Sequence, residues 1–183
     1  MQTNSVSRDV IAHHDAGHAV AGLVLGVPFT AVRIVPGEDG KIGVPLKTNP
    51  WTGPRPASNP GEFADEEWAE LSRSDEAWEA WKKRDNDIYA IFCLAGKAAQ
   101  LEYAGEASEE DAKADYSFIA HQLSDCQRRI GELEQAARAL VREYWPAVQA
   151  IAAELLDRSV LSAAEAEEIF KRATTKRLEK SDG

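Results

Sequence analysis

The chain predicts a mainly α-helical fold with one small β-hairpin, and three observations lead there. Apolar residues recur at helical spacing in several stretches that together span most of the sequence. Extended segments occur in one place, on either side of the turn-rich tetrad Gly37-Glu38-Asp39-Gly40. Prolines crowd into one loop, where Pro50, Pro54, Pro56 and Pro60 stand with Gly53 and Gly61. At 183 residues and 44 % hydrophobic, the chain can bury one ordinary core. Residues 1–183 therefore read as a single domain with an insertion at about 48–84, made of the Pro-rich loop and a Trp-containing helix.

The first element is a buried helix of four to five turns. Val10, Ala16, Gly17, Val20, Ala21, Leu23, Val24 and Leu25 make it apolar nearly all round, Ser7 and Asp9 supply capping chemistry, and Gly26 with Pro28 ends it. Residues 31–36 and 41–46 then form the expected hairpin around the tetrad. The loop at 48–61 is long for a connection without regular structure, a length that goes with functional loops and flaps. An acidic helix over Phe63–Arg84 follows, with Trp68, Leu71 and Trp78 on one side and Trp81 beside them as a packing face. Further helices are expected over Ile88–Tyr103, Glu109–Arg142 with a break near Gly131, Trp145–Asp157 and Ala163–Leu178, the last opened by a Ser162–Glu165 capping box.

Composition narrows the function. A formal net charge of −10 sets nucleic acid and anionic membranes aside as partners. The longest apolar stretch, Ala19–Phe29, is too short to cross a bilayer. No basic-then-apolar signal pattern opens the chain, so a cytoplasmic protein is expected. Cys93 and Cys126 lack C-x-x-C spacing and read as reduced, packed thiols.

The chemistry gathers in one hexapeptide. Residues 13–18 read His-His-Asp-Ala-Gly-His, so three of the four histidines fall within six positions and His14 and His18 stand four apart. On a helix, that spacing stacks two imidazoles on one face with Cβ atoms roughly 5–6 Å apart, within reach of one metal ion. The pattern differs by one residue from the zincin signature H-E-x-x-H, with Asp15 where that signature has its glutamate. The competing reading is a pair of hydrogen-bonded core histidines. His13 lies about 100° around the helix and reads as a supporting or surface residue, and His121 as a solvent-edge residue.

A catalytic zinc requires a third protein ligand, and the second acid-rich helix offers candidates. Ser108 reads as its N-cap, with Glu109, Glu110 and Asp111 in a first turn where the helix dipole favours anions. Ala112, Tyr116, Ile119 and Leu123 form the core-facing stripe, and Asp115 lies at its edge. An acid so placed meets a cation, either a metal or a Lys or Arg partner.

These segments resemble a known family in order along the chain. Ile11 to Gly22, containing His14-Asp15-Ala16-Gly17-His18-Ala19, resembles the H-E-A-G-H-A metal helix of the FtsH-type ATP-dependent zinc metalloproteases. Val32 to Pro36 with Gly43-Val44 resembles the strand pair after that helix, and Leu94-Ala95-Gly96-Lys97-Ala98-Ala99 is similar to the family's L-A-G-R-A-A. Ala147 to Leu161, then Glu165 to Phe170, resembles its C-terminal helix pair. The resemblance implies a helical zincin-like metallopeptidase domain, Zn²⁺ held by His14, His18 and Asp115, and Asp15 as general base. It departs from the family in Asp15 for Glu, Ala114 for the Asn before the third ligand, and Gln100 for an acid. No G-x-x-x-x-G-K-[ST] ATPase motif and no membrane span are present. The implied function is a zinc-dependent peptidase acting on flexible or unfolded polypeptides, working as a homo-oligomer or with a separate ATPase. Asp15 keeps open the alternative of a weakly active or inactive metal-binding relative that serves as a protein-binding or assembly module.

Overall fold

A computed structural model describes residues 7–37, 42–50, 55–107 and 109–181. Helix α1 (Arg8–Leu25) starts where the Ser7 hydroxyl accepts a hydrogen bond from the Val10 amide, and stops at Gly26, whose φ of 75° is left-handed. Residues Ala12 to Gly22 are buried without interruption, as its all-round apolar sequence requires.

The Trp-containing segment divides differently from the expected single helix over Phe63–Arg84. A short α2 (Asp65–Leu71) precedes a 30-residue α3 (Asp75–Ala104), which absorbs both the second half of that stretch and all of Ile88–Tyr103. Ser74 accounts for the division, because its side chain caps the Ala77 amide and Asp75 and Glu76 fill the first turn. Phe63, Trp68, Trp78 and Trp81 pack as one aromatic cluster, with Trp78 fully buried. The described part of the Pro-rich loop is fastened to the same region, through an Arg55–Asp75 ion pair at 2.7 Å. Trp51 and Pro54 lie outside the described residues.

Helices α1 and α3 lie in close contact because their facing residues are small. A Cβ on Gly17 would come within 2.6 Å of the Ala95 carbonyl oxygen, so alanine is excluded there. Helix α4 (Glu109–Gln122) runs into a 3-10 segment (Ser124–Arg129) and then α5 (Ile130–Glu143). The break therefore falls about two turns before Gly131, at Leu123, whose φ of −125° and ψ of 44° leave the helical region. Gly131 sits inside the first turn of α5 instead. Ser108, expected to cap α4, lies outside the described residues.

Helices α6 (Trp145–Arg158) and α7 (Ala163–Ser181) complete the bundle, separated by strand β2 (Val160–Ser162). The capping box is present: Ser162 Oγ accepts from the Glu165 amide, and the Glu165 carboxylate accepts from the Ser162 amide. Strand β1 (Ala31–Arg33) pairs antiparallel with β2, a partner that local patterning did not predict. The expected hairpin partner lies on the other edge of β1, where Arg33 and Gly43 exchange backbone hydrogen bonds of 3.0 and 2.8 Å and Phe29 bridges Leu46. Lys41 and residues 38–40 are outside the described set. One core joins Val20, Leu94, Ile119, Val141, Ile151 and Leu161. No helix among the described residues is long and apolar enough to cross a membrane.

Candidate metal centre

Side chains from two helices, α1 and α4, converge on a single point. The i, i+4 spacing on α1 places the His14 and His18 Nε2 atoms 2.9 Å apart, both rings buried. From α4, Asp115 Oδ2 lies 3.5 Å from His14 Nε2 and 3.4 Å from His18 Nε2. The three residues can bind a metal ion, and they are the His/Cys/Asp/Glu group of that kind among the described residues. Among the described residues, the ionic contacts of Asp115 are with these two histidines, and none is with a Lys or Arg.

The ligand triangle suits a small divalent ion. A tetrahedral site with metal–ligand bonds of 2.0–2.1 Å separates its donors by about 3.3–3.4 Å. The two Asp115 edges, 3.4 and 3.5 Å, already match, and the histidine edge at 2.9 Å needs a ring movement of under half an ångström. The tautomer is fixed as well. His18 Nδ1 donates to the Phe92 carbonyl at 2.8 Å, so the neutral ring presents the Nε2 lone pair to the centre.

Room for this arrangement comes from α3. A Cβ on Gly96 would stand 2.4 Å from His18 Nε2 and 2.7 Å from His14 Nε2, which means that a side chain there would occupy the ion's own space. Gly96 and Phe92 thus belong to the site, one by vacating volume and the other by orienting a ring. The sequence offered Gly96 only as part of a familiar helix segment.

Electrostatics favour a positive charge at the convergence point. Burial by itself would lower the His18 pKa, yet the charge and hydrogen bonding of Asp115, aided by Asp15 and the Phe92 carbonyl, raise it to about 9. Without a metal, a proton fills the role of cation. A metal ion bound by these three residues would displace that proton.

Asp15 is buried on α1 and lines the same cavity of about 450 Å³ as His14, His18 and Asp115. The cavity's remaining wall is apolar, from Ile11, Ile42, Val44 and Phe92. Gly43 runs over the acid, since a Cβ there would lie 3.7 Å from Asp15 Oδ1. No described residue of the Pro-rich loop lines this cavity.

The other candidates separate from the centre. His13 is buried, donates from Nδ1 to the Asp9 carbonyl at 2.8 Å, and stacks on Tyr103 with ring centroids 3.8 Å apart, a packing role. His121 is exposed and bonded to the Ser117 carbonyl at 2.7 Å. Cys93 and Cys126 are buried, unpaired thiols. Burial pushes both thiols up, Cys126 to about 11, which keeps them protonated.

No family model matches the chain, and no curated protein matches it.

Proposed function

We propose that the protein is a zinc-dependent peptidase acting on flexible or unfolded polypeptide, with His14, His18 and Asp115 as ligands and Asp15 as general base. The observation that carries the reading is the convergence of three donors, within 4.8 Å of one another, on space that Gly96 vacates beside the buried carboxylate of Asp15. Two imidazole nitrogens and one carboxylate are a donor set that catalytic zinc takes, with a tetrahedral position left open. Bound there, zinc supplies Lewis acidity toward a peptide carbonyl and makes an adjacent water more acidic.

The chain's own groups carry the remaining steps. Asp15 accepts the proton of the attacking water and returns it to the leaving amine, both from within the cavity it lines. Arg33 and Gly43 use their backbone groups on each other, so Ile42 and Val44 direct theirs to the opposite edge, and all three residues from Ile42 to Val44 line the cavity. An extended substrate added at that edge would be held by main-chain hydrogen bonds, which suits unfolded chains.

One observation favours the second reading, a metal-binding module of weak or no activity. Asp15 is one methylene shorter than the glutamate of H-E-x-x-H, a retreat of about 1.5 Å, and a misplacement near 1 Å can cost about a hundredfold in rate. Cleavage of an unstructured peptide library by zinc-loaded wild type, Asp15→Asn and Asp15→Glu separates the two. A peptidase cleaves slowly as wild type and not at all as Asp15→Asn with zinc retained. Wild type indistinguishable from Asp15→Asn removes the peptidase reading and leaves the module.

A further inference from the structure

Asp115 reaches the histidines from a helix that needs its own registration. The apolar stripe Ala112, Ile119 and Leu123 turns one face of α4 inward, but such a stripe tolerates small rotations and slides along the axis. One residue of helical rotation is about 100°, enough to swing a carboxylate out of a ligand triangle.

A polar contact on the opposite flank supplies the missing direction. Lys97 Nζ on α3 donates to Tyr116 Oη at 2.7 Å and to Glu134 Oε1 of α5 at 3.1 Å. The Tyr116 hydroxyl donates in turn to the same Glu134 carboxylate. Lys97 Nζ also lies 4.7 Å from the centroid of the Tyr116 ring. All three side chains are partly buried, and the one positive and one negative charge balance. Although burial opposes the charge on Lys97, its bonds to Tyr116 and Glu134 hold its pKa above the ordinary value.

The placement in sequence links this network to the metal centre twice. Lys97 follows Gly96, and Tyr116 follows Asp115. On each helix, one residue of the pair faces the ligand triangle and its neighbour, about 100° around, enters the network. Directional bonds from α3 and α5 to α4 therefore set both the rotation and the height of Asp115.

We propose that Lys97, Tyr116 and Glu134 are positioning residues for the metal centre, a three-helix clamp that holds Asp115 in ligating geometry without touching the ion. The proposal rests on the reading of His14, His18 and Asp115 as metal ligands.

The test uses the full chain and measures zinc affinity by chelator competition, with Co²⁺ spectra as a second readout. Tyr116→Phe and Glu134→Gln should each weaken zinc by roughly tenfold to a hundredfold, the range seen when support of a ligand is lost, and should move the Co²⁺ absorption toward that of Asp115→Ala. In an Asp115→Ala background, Tyr116→Phe should change zinc affinity less than twofold, because there is no longer a carboxylate to position. A general loosening of the fold would weaken binding equally in both backgrounds, and that result overturns the clamp. So does zinc affinity within twofold of wild type in both single variants. Should Asp115→Ala bind zinc as wild type does, the ligand assignment itself falls, and the clamp with it.

Discussion

Two cavities of similar size border α3, and their charges are arranged in contrasting ways. The first, about 450 Å³, holds Asp15, Asp115 and the histidine pair. The second, about 410 Å³, lies between α3 and the 3-10 segment and is the more richly charged, with Lys82, Lys83, Arg128 and Arg129 beside Glu79, Asp87 and Asp125. Every acid in the second has a cationic neighbour: Glu79 meets Lys82 at 2.7 Å, Asp125 meets Arg128 at 3.9 Å, and Asp87 meets both Arg129 and Lys83. Its charges answer one another. In the first, two imidazole nitrogens and a carboxylate oxygen converge on space that a missing Cβ keeps clear. Charge density therefore does not mark a candidate metal site; convergence of metal-ligating groups on one cleared space does.

Adding the Cβ that the first cavity excludes should have the largest effect. Glycine to alanine in a helix ordinarily stabilises by about 1 kcal/mol, and Gly131→Ala, where a Cβ meets nothing within 4 Å, should follow that rule. Gly96→Ala should reverse the sign, losing about 1–3 kcal/mol by overpacking together with all tight zinc binding. Denaturant midpoints and zinc content measure both. A stabilised, zinc-binding Gly96→Ala protein would break the comparison.

pH should separate the cavities next. In the metal-free chain, His18 has its pKa raised to about 9. Its stabilising contribution is complete below its unfolded value near 6.5 and is lost as pH rises through 9. Zinc requires the deprotonated ring, so zinc affinity should rise across that same window. Chelator-treated protein should therefore lose stability from pH 6.5 to 9 while the gain on adding zinc grows. Denaturation curves with and without zinc at several pH values would show it, and parallel pH dependences would contradict it.

The smallest effect belongs to the second cavity. Arg129→Ala leaves Asp87 with Lys83 at 3.5 Å as its remaining cation. The cost should be about 1 kcal/mol, as for other partly exposed ion pairs, with zinc affinity unchanged. A variant that loses zinc would mean that the two cavities are coupled.

What was legible in advance was local. Helix α1, its Ser7 and Gly26 ends and the His14–His18 pair depend on residues within a few positions of each other, and the Ser162–Glu165 box likewise. Asp115 stood out as an acid at the edge of an apolar stripe. Strand β2 did not, because three residues carry little periodicity and pair only with a strand 127 to 131 residues away. The role of Gly96 rests on a clearance between helices, and that of Phe92 on a carbonyl 74 residues from the ring it orients. Gly131 misled because glycine is tolerated in a first helical turn, whereas Leu123 breaks the helix through its backbone alone. The Lys97–Tyr116–Glu134 network joins three helices and has no signature in any one of them.

The most direct test of the central claim is zinc content per chain after equilibration with zinc and exhaustive dialysis, compared between wild type, His14→Ala and Asp87→Ala. One equivalent in wild type and in Asp87→Ala, with none in His14→Ala, is the predicted result. A full equivalent retained by His14→Ala, or none bound by wild type, would contradict it.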